Sequence, residues 1–335
     1  MKPILFNEND SVLLVGEGNF SFSVALLQLN LKINITATCY ETNIYQDYRK
    51  KNIEYLINNG VHVLLGVDAT NLKEHSILKT KLFDKTIFNF PHVGGKMRIE
   101  KNRVLLREFF INATKLLKNN GQILVTLCNG QGGTLFDNPL RRWDDSWKIT
   151  EMAAHGNCVL SKIEPFEWLL FQNYIVTGYR SLDKQFHSAG ALTHIFVKSE
   201  SPNALNIAPE TKINISPYDN YNLSWKDIDQ ILYASNINTT NLCAHTYTFD
   251  ITFSVKKEFN HIQFYALLHN YAARIINDVN FLGMYVSPSQ NIQKRTYRIN
   301  YKSNCLPLYR ERVIDIHQNL IANILEDNLN VSVSR

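Results

Sequence analysis

The sequence predicts an open, mostly parallel α/β sheet domain followed by a smaller α+β domain. Three observations carry this. Short apolar runs alternate with helical periodicity through the first 200 residues. Four of those runs stop abruptly at glycine, acidic or Asn-x-Pro residues, where open α/β sheets place their chemistry. Near residues 200–243 the composition shifts to Pro, Asn and Ser, and the order β-α-β-β-α-β follows.

The first strand is Ser11 to Val15. It ends in Gly16-Glu17-Gly18-Asn19-Phe20-Ser21, and a helix begins near Phe22. A glycine turn between strand and helix aims backbone N–H groups and a helix N-terminus at a ligand. As a dinucleotide motif the turn is incomplete, because Ser21 stands where the third glycine belongs. A pyrophosphate is therefore not secured, and a nicotinamide enzyme is a poor reading. S-adenosylmethionine carries no phosphate and needs less of such a turn. The second strand, Ile35 to Tyr40, ends at Glu41, about 20 residues on, where a carboxylate suits a ribose diol. A solvated strand-end glutamate is the plainer alternative. A helix from Tyr45 to Asn58 closes at Gly60. The third strand, Val61 to Val67, delivers Asp68, which can accept from an adenine amino group. Asp68 can also N-cap a helix over Asn71 to Leu82, worth about 1 kcal/mol.

The fourth strand, Lys85 to Phe88, opens into Asn89-Phe90-Pro91-His92-Val93-Gly94-Gly95-Lys96. A carbonyl-rich turn stiffened by Pro91 can present Asn89 and backbone oxygens to a flat substrate. The two glycines permit close approach and positive φ, and Lys96 can meet a phosphate. The turn resembles the Asn/Asp-Pro-Pro-aromatic turn with which many N-methyltransferases hold the nitrogen they methylate. Glycine turn, acid, acid and Asn-x-Pro-x fall at the ends of strands one to four, in the order a Rossmann-like methyltransferase requires.

Ile99 to Asn120 reads as a helix with Leu105, Leu106, Phe109, Phe110, Ala113 and Leu117 on one face, ended by Gly121. A fifth strand, Ile123 to Leu127, empties into a glycine-rich loop on the same rim. Trp143 and Trp147 either pack a helix running to His155 or stack on a base. Val159 to Phe166 and Ala191 to Lys198 complete the strands. Between them Gly178-Tyr179-Arg180 to His187 is basic and aromatic, suited to RNA or to an ordinary hairpin loop.

The chain has 335 residues, a net charge of +5 and 19% charged residues, a balance that permits a nucleic-acid partner without requiring one. No apolar run approaches the length of a membrane span, so no membrane partner is expected. The start lacks the apolar core of a signal peptide, which points to the cytoplasm rather than secretion. Five scattered cysteines form no Cys-x-x-Cys, so free thiols are expected and no metal site.

Val12 to Ser23, Gly66-Val67-Asp68-Ala69-Thr70 and Ile87 to Lys96, with Asn102-Arg103 and Leu105-Leu106 following, resemble the eukaryotic large-subunit rRNA uridine-N3 methyltransferase family over about residues 10 to 200. The segment Thr177 to His187 with Thr193 to Phe196 resembles the branch that also carries a ferredoxin-fold anticodon-binding domain. The resemblance implies a Rossmann-like class I methyltransferase domain, S-adenosylmethionine as cofactor and RNA (rRNA or tRNA) as partner. An rRNA substrate would imply the nucleolus. The cofactor would lie over Gly16, Glu17, Gly18 and Asn19, with Glu41 on its ribose and Asp68 near its adenine. The target uridine, flipped from its stack, would rest at Asn89, Phe90, Pro91 and His92. There the Asn89 side-chain oxygen and the Phe90 carbonyl would accept hydrogen bonds. His92 would either take the imide proton or stack on the base.

After the linker at 201–243, strands are expected at Thr246–Val255, Val279–Val286, Lys294–Lys302 and Val331–Val333. Helices are expected at Phe259–Asn277 and Pro307–Asn328. This unit, residues 244–335, resembles the anticodon-binding domain at the carboxyl end of phenylalanyl-tRNA synthetase β chains. Phe249 to Val255 and Thr296 to Ser303 carry the likeness. The usual Asp-Arg-Thr-Leu segment is replaced by Asn304-Cys305-Leu306-Pro307-Leu308. Arg295, Tyr297, Arg298 and Tyr301 share one strand and suit single-stranded RNA on a sheet face, or else they cover and solvate that sheet. The competing function is a non-catalytic RNA-binding protein that keeps a methyltransferase scaffold.

Overall fold

The computed structural model describes residues 6–43, 47–94, 98–177, 188–199, 224–227, 241–255, 259–286 and 292–334. The chain forms two compact units, 1–198 and 199–335. In the first, the strands are β1 (Ser11–Val15), β2 (Asn34–Thr38), β3 (His62–Leu64), β4 (Phe83–Asn89), β5 (Leu117–Leu127), β6 (Cys158–Pro165) and β7 (Leu192–Lys198). They form one sheet in the order β3-β2-β1-β4-β5-β7-β6. β1 to β5 pair in parallel, and β7 runs antiparallel to both β5 and β6. The helices are α1 (Ser21–Gln28), α2 (Asp47–Asn58), α3 (Ile99–Ala113) and α4 (Ile149–His155).

β1 is apolar throughout because it is covered on both faces. Val12, Leu13, Leu14 and Val15 are each at most 2% exposed. The strand order reverses between β1 and β4, and the crevice that opens at such a switch point is the expected ligand site.

Two local expectations need correction. The segment after Asp68 is not an α-helix over Asn71–Leu82. It forms 3₁₀ turns at Ala69–Glu74 and Leu78–Thr80, with a non-helical kink at Asn71. Asp68 nevertheless caps the first turn by accepting from the Thr70 N–H at 2.8 Å. α3 stops at Ala113 rather than Asn120, and Leu117 already pairs with Phe83 in the sheet. Asn119, Asn120 and Gly121 are poor helix formers, and they occupy the irregular start of β5. A Cβ on Gly121 would lie 2.7 Å from Leu117 Cγ. Trp147 is 3% exposed, a core residue beside α4.

The second unit contains β8 (Tyr247–Val255), α5 (His261–Ala272), β9 (Ile276–Val286) and β10 (Gln293–Tyr301). A helical run follows, made of α6 (Arg310–Asp315), a π-helical turn (Ile316–Ile321) and α7 (Ala322–Leu329). β11 (Ser332–Val333) ends it. The sheet order β9-β10-β8-β11 is antiparallel throughout, the split βαβ arrangement of the ferredoxin-like fold. Trp225, 1% exposed, packs against Tyr265 and His269 of α5. The rest of the expected linker lies almost wholly outside the described residues.

Tyr297 and Tyr301 are corrections to the expected RNA face. Both are fully buried, on the side of β10 that faces the helices. Tyr297 stacks on Phe253 at 5.6 Å, and its hydroxyl lies 2.7 Å from His261 Nδ1. The Tyr301 hydroxyl lies 2.8 Å from His317 Nδ1. Neither ring can stack on a base while the unit is folded. Tyr301→Phe should cost about 1–2 kcal/mol, because it leaves a buried imidazole nitrogen without its partner. Urea denaturation of the full chain would read this, and an unchanged midpoint would remove the bond from the account.

Candidate active site

The glycine turn is held tightly. Gly16 has φ +68°, and a Cβ there would lie 2.5 Å from Phe88 Cε2. A Cβ on Gly18 would overlap the Thr177 hydroxyl. The two residues between and after the glycines do not face the ligand side. Glu17 is buried, and its carboxylate accepts from the Ser23 N–H at 3.1 Å and the Ser23 hydroxyl at 2.8 Å. It thus caps the first turn of α1 from outside the helix. Asn19 accepts from the Ser21 N–H and donates to the Ile175 carbonyl at 2.9 Å. These two side chains shape the turn instead of lining the cavity, which corrects their expected cofactor contacts.

Burial raises the Glu17 carboxyl from its ordinary 4.5 to about 7, against the Ser23 bonds that favour the anion. The sign follows from linkage. Below pH 4.5 the group is neutral folded and unfolded, and it costs nothing. Between pH 4.5 and 7 only the unfolded chain ionises, so stability falls as pH rises. Above 7 the full penalty, about 3 kcal/mol, persists. Glu17→Gln keeps an acceptor for Ser23. Its stability advantage should be near zero at pH 4.5, grow to pH 7 and then level off. Denaturation midpoints across that range would test it, and a pH-independent difference would refute it.

Glu41, at the end of β2, accepts from Arg49 Nη2 at 3.1 Å and from the Cys39 thiol at 2.8 Å, both through Oε2. Burial pushes its pKa up, but the Cys39 bond and the Arg49 charge outweigh this and hold the carboxyl below its usual range. The Cys39 thiol is pushed up to about 12, first by burial and then by Glu41, so it stays protonated. Arg49 itself is 7% exposed and also donates to the Gly18 carbonyl. One guanidinium therefore ties the glycine turn to the acid of β2. Sequence reasoning missed it, since a lone arginine on α2 carries no periodic signal. Asp68 takes the Thr70 N–H and hydroxyl on Oδ1.

At the end of β4, Phe90 adopts φ +49°, a left-handed conformation that a bulky side chain holds only under constraint. The constraint is visible. Its N–H donates to the Thr126 carbonyl at 2.8 Å. Its ring stacks on Trp168 at 6.0 Å, within an aromatic cluster that includes Phe166 and Tyr174. Asn89 Oδ1 accepts from the Thr126 hydroxyl at 2.7 Å. That bond uses one of the two lone pairs of the Asn89 oxygen. His92 Nδ1 accepts from the Gly94 N–H at 2.7 Å, and burial lowers its pKa. A neutral ring used in this way carries its proton on Nε2. In this geometry His92 is a donor and not the proton acceptor considered from the sequence.

A cavity of about 520 Å³ collects these ends. Gly16, Gly18, Glu41, Asp68, Phe90 and His92 all line it, together with Tyr40, Tyr48, Arg49, Thr70, Phe88 and Thr177. The volume lies in the range of small-molecule sites. Side-chain-free glycines on one wall and carboxylates on the next fit an amino-acid nucleoside. Pro91 is buried beside the cavity. Lys96 and Arg180 lie outside the described residues. In the second unit, Arg298 pairs with Asp250 at 2.8 Å on the solvent side, and Arg295 lies over the Phe259 ring at 4.9 Å. Among the described residues no cluster of His, Cys, Asp and Glu could hold a metal ion. No helix among them is long and apolar enough to cross a membrane. The five cysteines form no disulfide with one another.

The strand order, the antiparallel β7 and a cavity at the carboxyl ends of β1 to β4 define a Rossmann-like domain of the methyltransferase class. Residues 13–178 match the family described as "rRNA (uridine-N3-)-methyltransferase BTM5-like", and this first domain belongs to that family. The human "Ferredoxin-fold anticodon-binding domain-containing protein 1" is 44% identical over 192 residues, covering 56% of this chain and 31% of its own length. The chain thus spans about a third of that relative. The yeast "25S rRNA (uridine(2634)-N(3))-methyltransferase" is 24% identical over 228 residues, covering 52% of this chain and 67% of the relative. Among solved structures, TrmN from Thermus thermophilus aligns with a TM-score of 0.34 at 16% identity, over 57% of this chain and 45% of that one.

Proposed function

We propose that the protein is an S-adenosylmethionine-dependent RNA methyltransferase acting on uridine N3, in rRNA or tRNA. The observation that carries this is the convergence of Gly16, Gly18, Glu41, Asp68, Phe90 and His92 on one cavity. Family membership of residues 13–178 points the same way. Gly16 and Gly18 would let the methionine portion approach the backbone. Glu41 would use Oε1 on the ribose diol while Arg49 holds Oε2. Asp68 would use Oδ2 toward the adenine while Thr70 holds Oδ1. Bound there, S-adenosylmethionine supplies an electrophilic methyl carbon whose bonding pair stays on sulfur as the methyl leaves. The chain's own part is to hold the uracil edge at the Asn89–His92 turn, where positioning supplies most of the acceleration. Phe90, pinned by its aromatic cluster, fixes the direction of that turn. Arg298, on the solvent side of its strand, with Lys96 and Arg180, would meet RNA phosphates.

The test is mass spectrometry of nucleosides from separated rRNA and tRNA pools of cells with and without the protein. Loss of 3-methyluridine from either pool supports the reading and names the substrate pool. If no methylated nucleoside changes, a non-catalytic RNA-binding scaffold replaces it.

A further inference from the structure

The loop from Cys128 to Lys148 leaves β5 on the same rim as the Asn89–His92 turn, since Asn89 and Thr126 lie opposite each other across β4 and β5. Its frame is held from inside. Buried Asp137 accepts from the Gly130 N–H at 2.9 Å on Oδ1 and from the Thr134 N–H at 2.7 Å on Oδ2. The Trp147 and Ile149 N–H groups donate back to the Gln131 and Gly132 carbonyls. Thr134 and Asp137, both buried, are the ends of a tight turn that the Asp137 N–H closes on the Thr134 carbonyl at 3.2 Å. At its tip stand Leu135 and Phe136, 81% and 56% exposed. Turn tips ordinarily carry Gly, Pro, Asn, Asp or Ser. Two large apolar side chains gain little from folding when their frame holds them in water. Exposed Arg141 and Arg142 follow. Asp144 pairs with Lys148 at 2.8 Å, which leaves Asp145, 4.0 Å from Arg142, as the exposed carboxylate beside the two guanidiniums. Adjacent residues of α3 hold this loop and the acceptor turn. Asn102 Oδ1 accepts from the Val93 N–H at 3.2 Å, just past His92, while Arg103 donates to the Ser146 and Asp144 carbonyls at 3.0 and 2.7 Å.

We propose that the Leu135–Phe136 tip is an RNA wedge, held on the rim of the acceptor turn to fill the stack from which the target nucleotide has been drawn. The inference rests on reading the site as an RNA base methyltransferase and adds the surface with which the chain opens its substrate. A stacked base cannot enter a cavity at the strand ends, so it must swing out. The gap it leaves exposes the faces of its neighbours to water. Apolar side chains inserted between base steps cover such faces, and an aromatic ring stacks on any base. A wedge must also keep its shape as the stack closes on it, and the Asp137 bonds supply that stiffness. Arg141 and Arg142, just behind the tip, would take the flanking phosphates. This charge favours RNA as the occupant, because an apolar protein surface would desolvate the guanidiniums without pairing them. Leu135 and Phe136 act on the opening of the substrate and touch no reacting atom.

The deciding variants, in the full chain, are Leu135→Ser combined with Phe136→Ser, Phe136→Tyr alone, and Arg141→Gln combined with Arg142→Gln. Binding and single-turnover methyl transfer would be measured on rRNA and tRNA from cells lacking the protein. S-adenosylhomocysteine affinity by calorimetry, expected to be unchanged in all three, shows that the first domain is folded. The paired serines should weaken RNA binding about 10-fold and slow transfer at saturating RNA by a similar factor. Phe136→Tyr keeps a stacking ring and should behave as wild type. The paired glutamines should lower the slope of log affinity against log salt by about one. If the paired serines leave binding and transfer at wild-type values, the tip does not meet RNA and the proposal falls. If they do so while a wild-type dimer becomes monomeric on sedimentation, the tip is a protein interface and the proposal falls as well. If they weaken RNA binding but wild type transfers no methyl to either pool, the RNA surface stands and the methyltransferase reading falls.

Discussion

Replacing Asn89 with alanine is expected to reduce methyl transfer by about 10²–10³-fold while affinity for S-adenosylhomocysteine changes by less than about twofold. The separation follows from where the side chain sits. Asn89 does not line the cavity that collects Gly16, Glu41 and Asp68. Its contacts run the other way, along the sheet to Thr126. A truncated side chain leaves the glycine turn and both carboxylates in place, with Arg49 still tying Gly18 to Glu41. What it removes is a group fixed before the acceptor arrives, and such groups act mainly on the transition state. Calorimetry for binding and single-turnover transfer for chemistry would separate the two. Equal losses in both would make Asn89 a structural residue of the β4 end and would withdraw it from the reaction.

The fold was legible in the sequence because buried parallel strands contain short apolar runs, and β1, the Ile87-Phe88 end of β4 and residues 123–127 of β5 have this character. The ends of those strands were legible too. Gly16, Glu41, Asp68 and the Asn89–His92 turn are local signals at positions the topology makes important. Less legible was the direction in which a side chain turns once a turn is built. Glu17 and Asn19 lie inside the most ligand-like motif of the chain, yet both fold back onto α1 and the Ile175 carbonyl. Their partners Ser23 and Ser21 lie only six and two residues further along, so a capping pattern was present but concealed by the glycine motif. Arg49 and Thr126 had no local signal. Their roles come from pairing across the sheet or from a helix crossing over a loop, contacts 31 and 37 residues apart in the chain. On β10 the difficulty was register. Arg295, Tyr297 and Tyr301 share the buried-side parity and Arg298 does not, so the tyrosines became core. The Arg295 side chain lies beside His261.

Gly16→Ala is expected to lower S-adenosylhomocysteine affinity at least 10-fold, through two separable causes. The first is backbone strain. At φ +68° an L-residue pays about 1–2 kcal/mol that glycine does not. The second is steric. The new methyl would sit 2.5 Å from Phe88 Cε2. The ring has little room to retreat, because it is packed edge-on against Phe109 at 5.0 Å beneath α3. Either the ring or the glycine turn must shift, and the turn is the side open to the cavity. Phe88→Leu in the same chain shortens the offending group and should recover the steric part. The backbone part should remain, so the double variant should bind better than Gly16→Ala alone and worse than Phe88→Leu alone. A double-mutant cycle on calorimetric affinities reads the coupling between the two sites. Strict additivity would mean that the Gly16–Phe88 contact does not govern the turn. Full recovery would mean that φ at residue 16 is free to relax, and the requirement for glycine would then be one of space alone.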